Sequence, residues 1–338
     1  MLFDLDLRFR VMDQFGDYRQ VISIASPPLE AFAGPEVTPG LARVSNDAMA
    51  ELVRCHPDRF AGFIACLPMN NPAEAEVELH RSVRDLGARG VQIFSNVNGL
   101  PLDRDEFRFV FAAMSGYDVT LCDVTPAQLV EMGGARLSDA FASRLRKYRY
   151  GPAVFKIDYA LSSPVPWKAA ACLRAATVHV GGSSSEISVS ESDMRAGYHS
   201  ERPFVLVAQP SLFDPSRAPE GKHTAWAYCH VPNGSTVDMQ QTIEKQIERF
   251  APGFRDCILA RRVFAPAALE KMDANLVGGD ISGGAMDLRQ FFLRPTWRHY
   301  ATSAKNIFLC SSSTPPGGGV HGMCGYHAAK MALSRLNA

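Results

Sequence analysis

Between Asn306 and Ala329 the chain reads NIFLCSSSTPPGGGVHGMCGYHAA, and this stretch narrows the possible folds more than any other. The apolar run Ile307-Phe308-Leu309 predicts a strand, Ser311 to Pro316 a break, and Gly317-Gly318-Gly319 a tight turn. A helical pattern begins near Val320. Strand, glycine-rich turn and helix N-terminus together make a concave wall of backbone N–H groups at the positive end of a helix dipole. Such a wall suits a phosphate or the polar edge of a ring cofactor, and glycines let backbone approach a ligand without Cβ interference. The rival reading of a Gly/Pro/Ser cluster is a plain loop.

The same stretch resembles the C-terminal flavin-closing segment of phytoene-desaturase-like FAD-dependent oxidoreductases, and the resemblance runs from Tyr117 to the end of the chain. It implies FAD as cofactor, a substrate domain over about 150–270, a flavin-closing segment over about 275–335 and a small apolar substrate. It also implies cofactor contacts from Ser313, Gly317, Gly318, Gly319, Val320, Gly322 and Met323. In the stretch VGGDISGGAMD, which lies near the flavin in that family, Gly279 and Asp280 join them. His321, beside the glycines, is a candidate proton shuttle, with a structural histidine as the rival reading. His230, in TAWAYCHVPNGS, is a second candidate.

The first third reads differently. Leu7 to Gly16 predicts a short amphipathic helix stopped by its glycine, and Val21 to Ala25 a buried strand closed by Ser26-Pro27-Pro28. Thr38-Pro39 opens a helix with Leu41, Val44, Ala48 and Leu52 on one face. Phe60 to Leu67 is a second apolar strand. Asn71-Pro72 starts a helix with Ala75, Leu79, Val83 and Leu86 inward and Glu74, Glu76, Glu78, Arg81 and Arg84 outward; Val91 to Phe94 is a third strand. Strands alternating with helices imply a parallel sheet or part of a β/α barrel.

The segments RVMDQFGDYRQVISIASPP, ELVRCHPDRFAGFIACLPMNNPAEAEVEL and LGARGVQIFSNVNGLPLDRDEF resemble metal-dependent amidohydrolases, a family that includes aminocarboxymuconate-semialdehyde and resorcylate decarboxylases. This resemblance covers about residues 3–114 and implies the second to fourth units of a TIM barrel. The metal ligands do not come with it. His56 and His80 read as surface histidines, because a metal site needs several converging ligands. Asp4, Asp6 and Asp13 read as a helix start and a solvated face. Asn96 and Asn98 follow a strand at the face where barrels place active sites, but are given no chemistry.

Beyond Tyr117 the strands predicted at Val154–Leu161, Thr177–Val180, Phe204–Ala208 and Thr224–His230 suggest an antiparallel sheet with one wet face. Thr236 to Phe250 predicts a helix with Met239, Ile243, Ile247 and Phe250 on one side, followed by a strand over Ile258–Val263.

Composition excludes several classes. A chain of 338 residues can bury a proper core. Its net charge of +0 gives no general attraction to nucleic acid or to an acidic membrane surface. The eight cysteines are scattered without a CxxC pair, which reads as thiols in a reducing cytoplasm rather than a disulfide or zinc framework. The opening MLFDLDLRFRVMDQFGD has no signal-peptide pattern, and no apolar run reaches membrane-spanning length.

The expected fold class is therefore α/β plus α+β. Partial TIM-barrel units occupy residues 1–115, and the substrate domain and flavin-closing segment of an FAD oxidoreductase occupy 116–338. No G-x-G-x-x-G fingerprint occurs in residues 1–116, so FAD affinity and turnover are expected to be impaired, and no metal is expected. The alternatives are a metal-dependent amidohydrolase or decarboxylase, and a non-catalytic chimeric fusion product.

Overall fold

The computed structural model describes residues 4–24, 27–94, 96–102, 104–114, 117–319 and 321–336, apart from the side chains of 101, 111, 113, 114 and 291. The chain divides into two compact units, Met1–Tyr117 and Asp118–Ala338.

In the first unit, α1 (Leu5–Met12) is capped by Asp4, whose Oδ1 accepts from the Leu7 N–H at 2.9 Å. β1 (Gln20–Ile22), α2 (Thr38–Cys55), β2 (Phe60–Cys66), α3 (Pro72–Arg84) and β3 (Gly90–Gln92) then alternate. The strands form a parallel sheet in the order β1-β2-β3. A two-stranded hairpin, β4 (Asn96–Val97) with β5 (Leu100–Pro101), and α4 (Arg108–Met114) follow. Ile22, Met49, Phe60, Phe63, Ala65 and Ala88 form the core. Burying such side chains is the main favourable term holding the layer together, about 1.5–3 kcal/mol for each large one.

Two details depart from the sequence pattern. The face that α2 buries is Thr38, Ala42, Asn46 and Met49, while Leu41 is 38% and Val44 70% exposed. The helix is turned by one position because Asn46 is tied into the core. Its Nδ2 donates to the Cys66 carbonyl at 2.9 Å, and its Oδ1 accepts from the Cys66 N–H at 3.0 Å. On α3, Glu78 points inward and is 2% exposed. Asn46, Arg81 and Ser82 all donate to its carboxylate, which is how a charge is tolerated there. The start of α3 is as expected, with Pro72 in the first turn and Asn71 accepting from the Glu74 N–H.

The second unit opens with β6 (Thr120–Cys122), α5 (Pro126–Gly133) and α6 (Asp139–Leu145). Its main sheet takes β7 (Ala153–Leu161) and β8 (Thr177–Val180), then α7 (Ser184–Arg195), β9 (Val205–Ala208) and β10 (His223–Val231). α8 (Gln240–Phe250), β11 (Ile258–Phe264), α9 (Pro266–Met272) and α10 (Leu288–Phe292) follow. All its pairings are antiparallel, in the order β11-β7-β10-β9-β8. Along β10, Ala225, Ala227, Cys229 and Val231 are buried, while Trp226, Tyr228 and His230 lie half-buried on the other face. Ile243, Ile247 and Phe254 pack on the buried face. Near the end of the chain, β12 (Ile307–Leu309) pairs in parallel with β6, and α11 (Met323–Leu336) follows the glycine-rich turn.

The molecule is thus of mixed α/β class. The assignment of 116–338 to FAD-oxidoreductase domains is not shown by this architecture. Among the described residues no helix is long and apolar enough to cross a membrane.

Candidate functional site

In a parallel β/α layer every strand runs the same way, so the loops that follow the strands gather at one edge, where ligands bind in such sheets. In the first unit the loop after β1, the loop after β2 and the hairpin after β3 line a cavity of about 860 Å³. Its wall is mostly apolar: Ala31, Phe32, Met69, Val97, Leu100 and Phe107. The polar groups are Glu30, Asn70, Asn98 and Glu106; among the described residues no Arg, Lys or His lines the cavity itself, but Arg104 pairs with Glu106 at 3.4 Å.

Glu30 is the chemically distinctive member. It is 7% exposed, and its Oε2 has no hydrogen-bond partner among the described residues. Burial pushes its carboxyl pKa up, against a smaller opposing hydrogen bond from its own backbone. That oxygen is closed off from solvent as well as unpartnered, so Glu30 is a buried acid behind a largely apolar wall. Nearby on β2, the Cys66 thiol is pushed up to about 11, chiefly by burial, with Glu78 and Glu30 adding to it.

The surrounding loop is held from behind. Thr38 donates to Asn70 Oδ1 at 2.6 Å, and Asn70 Nδ2 donates to the Ala33 carbonyl at 3.0 Å. Asn71 reaches the Pro35 carbonyl at 2.9 Å. Asn98 sits at φ 51, in the left-handed region, where the hairpin turn is closed by Asn96 Oδ1 accepting from the Gly99 N–H. Asn98, given no chemistry from the sequence, therefore does line a cavity. Glu30 went unremarked in the sequence; its only signal there is an acid set between Leu29 and Ala31-Phe32.

The residues expected around a flavin are placed as follows. Ser313 is fully buried, and its hydroxyl donates to the Gly283 carbonyl at 2.7 Å. Asp280, 1% exposed, accepts from the N–H groups of Gly151 at 2.7 Å and Ser282 at 2.6 Å. Gly279 has φ 87, and an added Cβ would lie 2.7 Å from Pro266. Gly317 donates its N–H to the Thr314 carbonyl at 2.8 Å; Gly318, Gly319 and Gly322 are exposed. Met323 starts α11, and its N–H donates to His321 Nδ1 at 3.0 Å, so His321 serves there as a cap. Val320 lies outside the described residues. His230 Nδ1 lies 3.1 Å from both oxygens of Glu191, and that hydrogen bond holds the Glu191 carboxyl below its usual range. Several donors and acceptors expected to face a cofactor are thus bonded to the chain itself.

Residues 3–170 match the Amidohydrolase family model. The chain is 40% identical over 98 residues to a gamma-resorcylate decarboxylase of Polaromonas sp., covering 29% of this chain and 28% of that protein. It is 35% identical over 158 residues to pyridine nucleotide-disulfide oxidoreductase domain-containing protein 2 of Rattus norvegicus, covering 43% of this chain and 27% of that one. A solved dihydroxybenzoic acid decarboxylase from Polaromonas sp., with bound manganese and the inhibitor 2-nitroresorcinol, is 27% identical. It covers 42% of this chain and 46% of that one at a TM-score of 0.32, too low to argue for a shared fold. The chain spans about a quarter of the length of the curated relatives it matches.

These findings correct the flavin reading. The amidohydrolase match begins at residue 3 and continues to 170, past the end at about residue 114 expected from the sequence resemblance. The decarboxylase relatives, with the family match over 3–170, replace the FAD-dependent oxidoreductase as the functional comparison. The expected cofactors, FAD and no metal, are corrected with it by the identity to the decarboxylases. In this chain, however, no three His, Cys, Asp or Glu side chains converge as a metal site among the described residues. The manganese of the relative therefore does not fit the residues described.

Proposed function

We propose that the chain is a decarboxylase of small hydroxylated aromatic acids, acting through its amidohydrolase-type first unit. The observation that carries this reading is the position of the cavity, on the loops that follow β1, β2 and β3. The family match over 3–170 and the identity to a gamma-resorcylate decarboxylase support the reaction class. An apolar wall with one buried acid suits an aromatic ring with a polar substituent. The reaction breaks the bond between ring carbon and carboxylate, releases CO2, and the electron pair left on the ring carbon takes up a proton from solvent. No step is routed through a metal, because the described residues do not assemble one.

The test is CO2 release from 2,6-dihydroxybenzoate by the purified full chain, with and without added Mn²⁺. Release in either condition above a heat-inactivated control is the expected result. No release in both conditions overturns the reading.

A further inference from the structure

We propose that the C-terminal lobe of the second unit docks on the surface of an anionic phospholipid bilayer through the exposed face of α11. The proposal goes beyond the reading above and does not depend on it.

α11 is inverted for a helix that faces water. Its buried side carries Cys324, Ala328 and Ala332. Met323, Tyr326 and Leu333 stand exposed, with Lys330 among them, and spacings of three and four put all four on one face. Small side chains inside and large apolar ones outside leave the greater apolar area open, which marks a surface that something covers. Leu288 and Trp297, each more than half exposed, add to the apolar surface of the lobe. Charge decides what the cover is. Residues 288–338 contain no Asp or Glu, against Arg289, Arg294, Arg298, Lys305, Lys330 and Arg335. Six cations and no acid make a local charge of +6 inside a chain whose net charge is +0. Arg294 and Arg298 donate to backbone carbonyls, and the Lys330 ammonium lies 5.5 Å from the centre of the Tyr326 ring. None of the six is ion-paired among the described residues, so their field is not neutralised locally. A second copy meeting the same face would set these cations against one another. A nucleic acid would satisfy the charge but leave Met323 and Leu333 nothing to bury against. An anionic bilayer answers both features: headgroups attract the cations, the acyl boundary takes Met and Leu, and Tyr sits at headgroup level. α11 lies on such a surface, since no helix among the described residues is long and apolar enough to cross one.

The experiment is co-sedimentation of the full chain with vesicles of phosphatidylglycerol and phosphatidylcholine in equal parts, and with vesicles of phosphatidylcholine alone. The chain is expected to sediment with the first and not with the second, and to be released as salt is raised. Lys330→Gln should weaken binding about fivefold, the effect of one cation at an anionic surface. Tyr326→Ser with Leu333→Ser should weaken it about tenfold at an unchanged melting temperature, since both side chains stand outside the core. Val44→Ser, at an exposed position on α2 of the first unit, is the control and should bind as the parent chain does. Equal sedimentation with both kinds of vesicle, sedimentation with neither, or parent-like binding by the folded Tyr326→Ser/Leu333→Ser chain overturns the proposal. Binding to polyuridylate, or salt-sensitive self-association, without vesicle binding overturns it in favour of RNA or a second copy.

Discussion

Arg294→Ala is expected to lower the melting temperature of the second unit by roughly 6–15 °C, the equivalent of about 3–5 kcal/mol in a domain of this size. Arg294 is 3% exposed and binds the backbone of the glycine-rich region together. Its Nε donates to the Ser312 carbonyl at 3.1 Å and its Nη2 to the Ser282 carbonyl at 2.9 Å, while Nη1 reaches the Gly284 carbonyl at 3.4 Å. Alanine would leave these carbonyls buried with a donor gone from each, and a void where the guanidinium lay. Two neighbouring bonds to the Gly283 carbonyl, from Ser313 and Tyr148, share the same loop and would loosen with it. Arg294→Lys keeps the charge but not the planar fork, so it should recover only part of the loss. Thermal melts followed by circular dichroism check this; a shift under about 2 °C for the alanine variant would contradict the packing described.

The second large effect lies in the first unit. Glu78→Ala is expected to cost about 3–5 kcal/mol of unfolding free energy at pH 7, read from urea midpoints. Glu78 accepts from Asn46 at 2.7 Å, from Arg81 at 2.8 Å and from Ser82 at 3.1 Å, joining α2 to α3 beneath β2. Burial pushes its carboxyl up, but the bonds from Arg81, Asn46 and Ser82 outweigh burial and hold it below the usual carboxylate range. A depressed folded-state pKa contributes stability that is present in full above the unfolded value, about 4.3, and is lost as pH falls through the folded value. The gap between parent and variant should therefore shrink below about pH 4, and a gap that widened in acid would refute the arrangement.

Local chemistry was legible in the sequence; what required neighbours was not. Asn71-Pro72 announces α3 because a cap and a first-turn proline act within a few residues. The alternating strands of the second unit show in β10, whose buried and half-buried side chains alternate as written. The inward face of α2 was misread because Asn46, polar by type, is satisfied by the Cys66 backbone and by Glu78, both distant in sequence. Glu78 was read as solvated for the same reason. Glu30 was missed because an unpartnered buried acid is defined by the absence of partners in space, which no pattern of spacing encodes. The glycine-rich stretch shows the same limit from the other side. Its composition suits a cofactor wall, but His321 caps α11 and Asp280, Ser313 and Arg294 bind the loops to one another.

Hydrogen exchange of the full chain, read by mass spectrometry in the presence of resorcinol and separately of FAD, tests the placement of the functional site most directly. Resorcinol is expected to protect peptides spanning 28–36, 67–72 and 96–107, around the cavity that Glu30 lines. No change is expected in peptides spanning 279–284 and 311–323 with FAD. Protection of 311–323 by FAD, with the peptides around Glu30 unchanged by resorcinol, would contradict that placement.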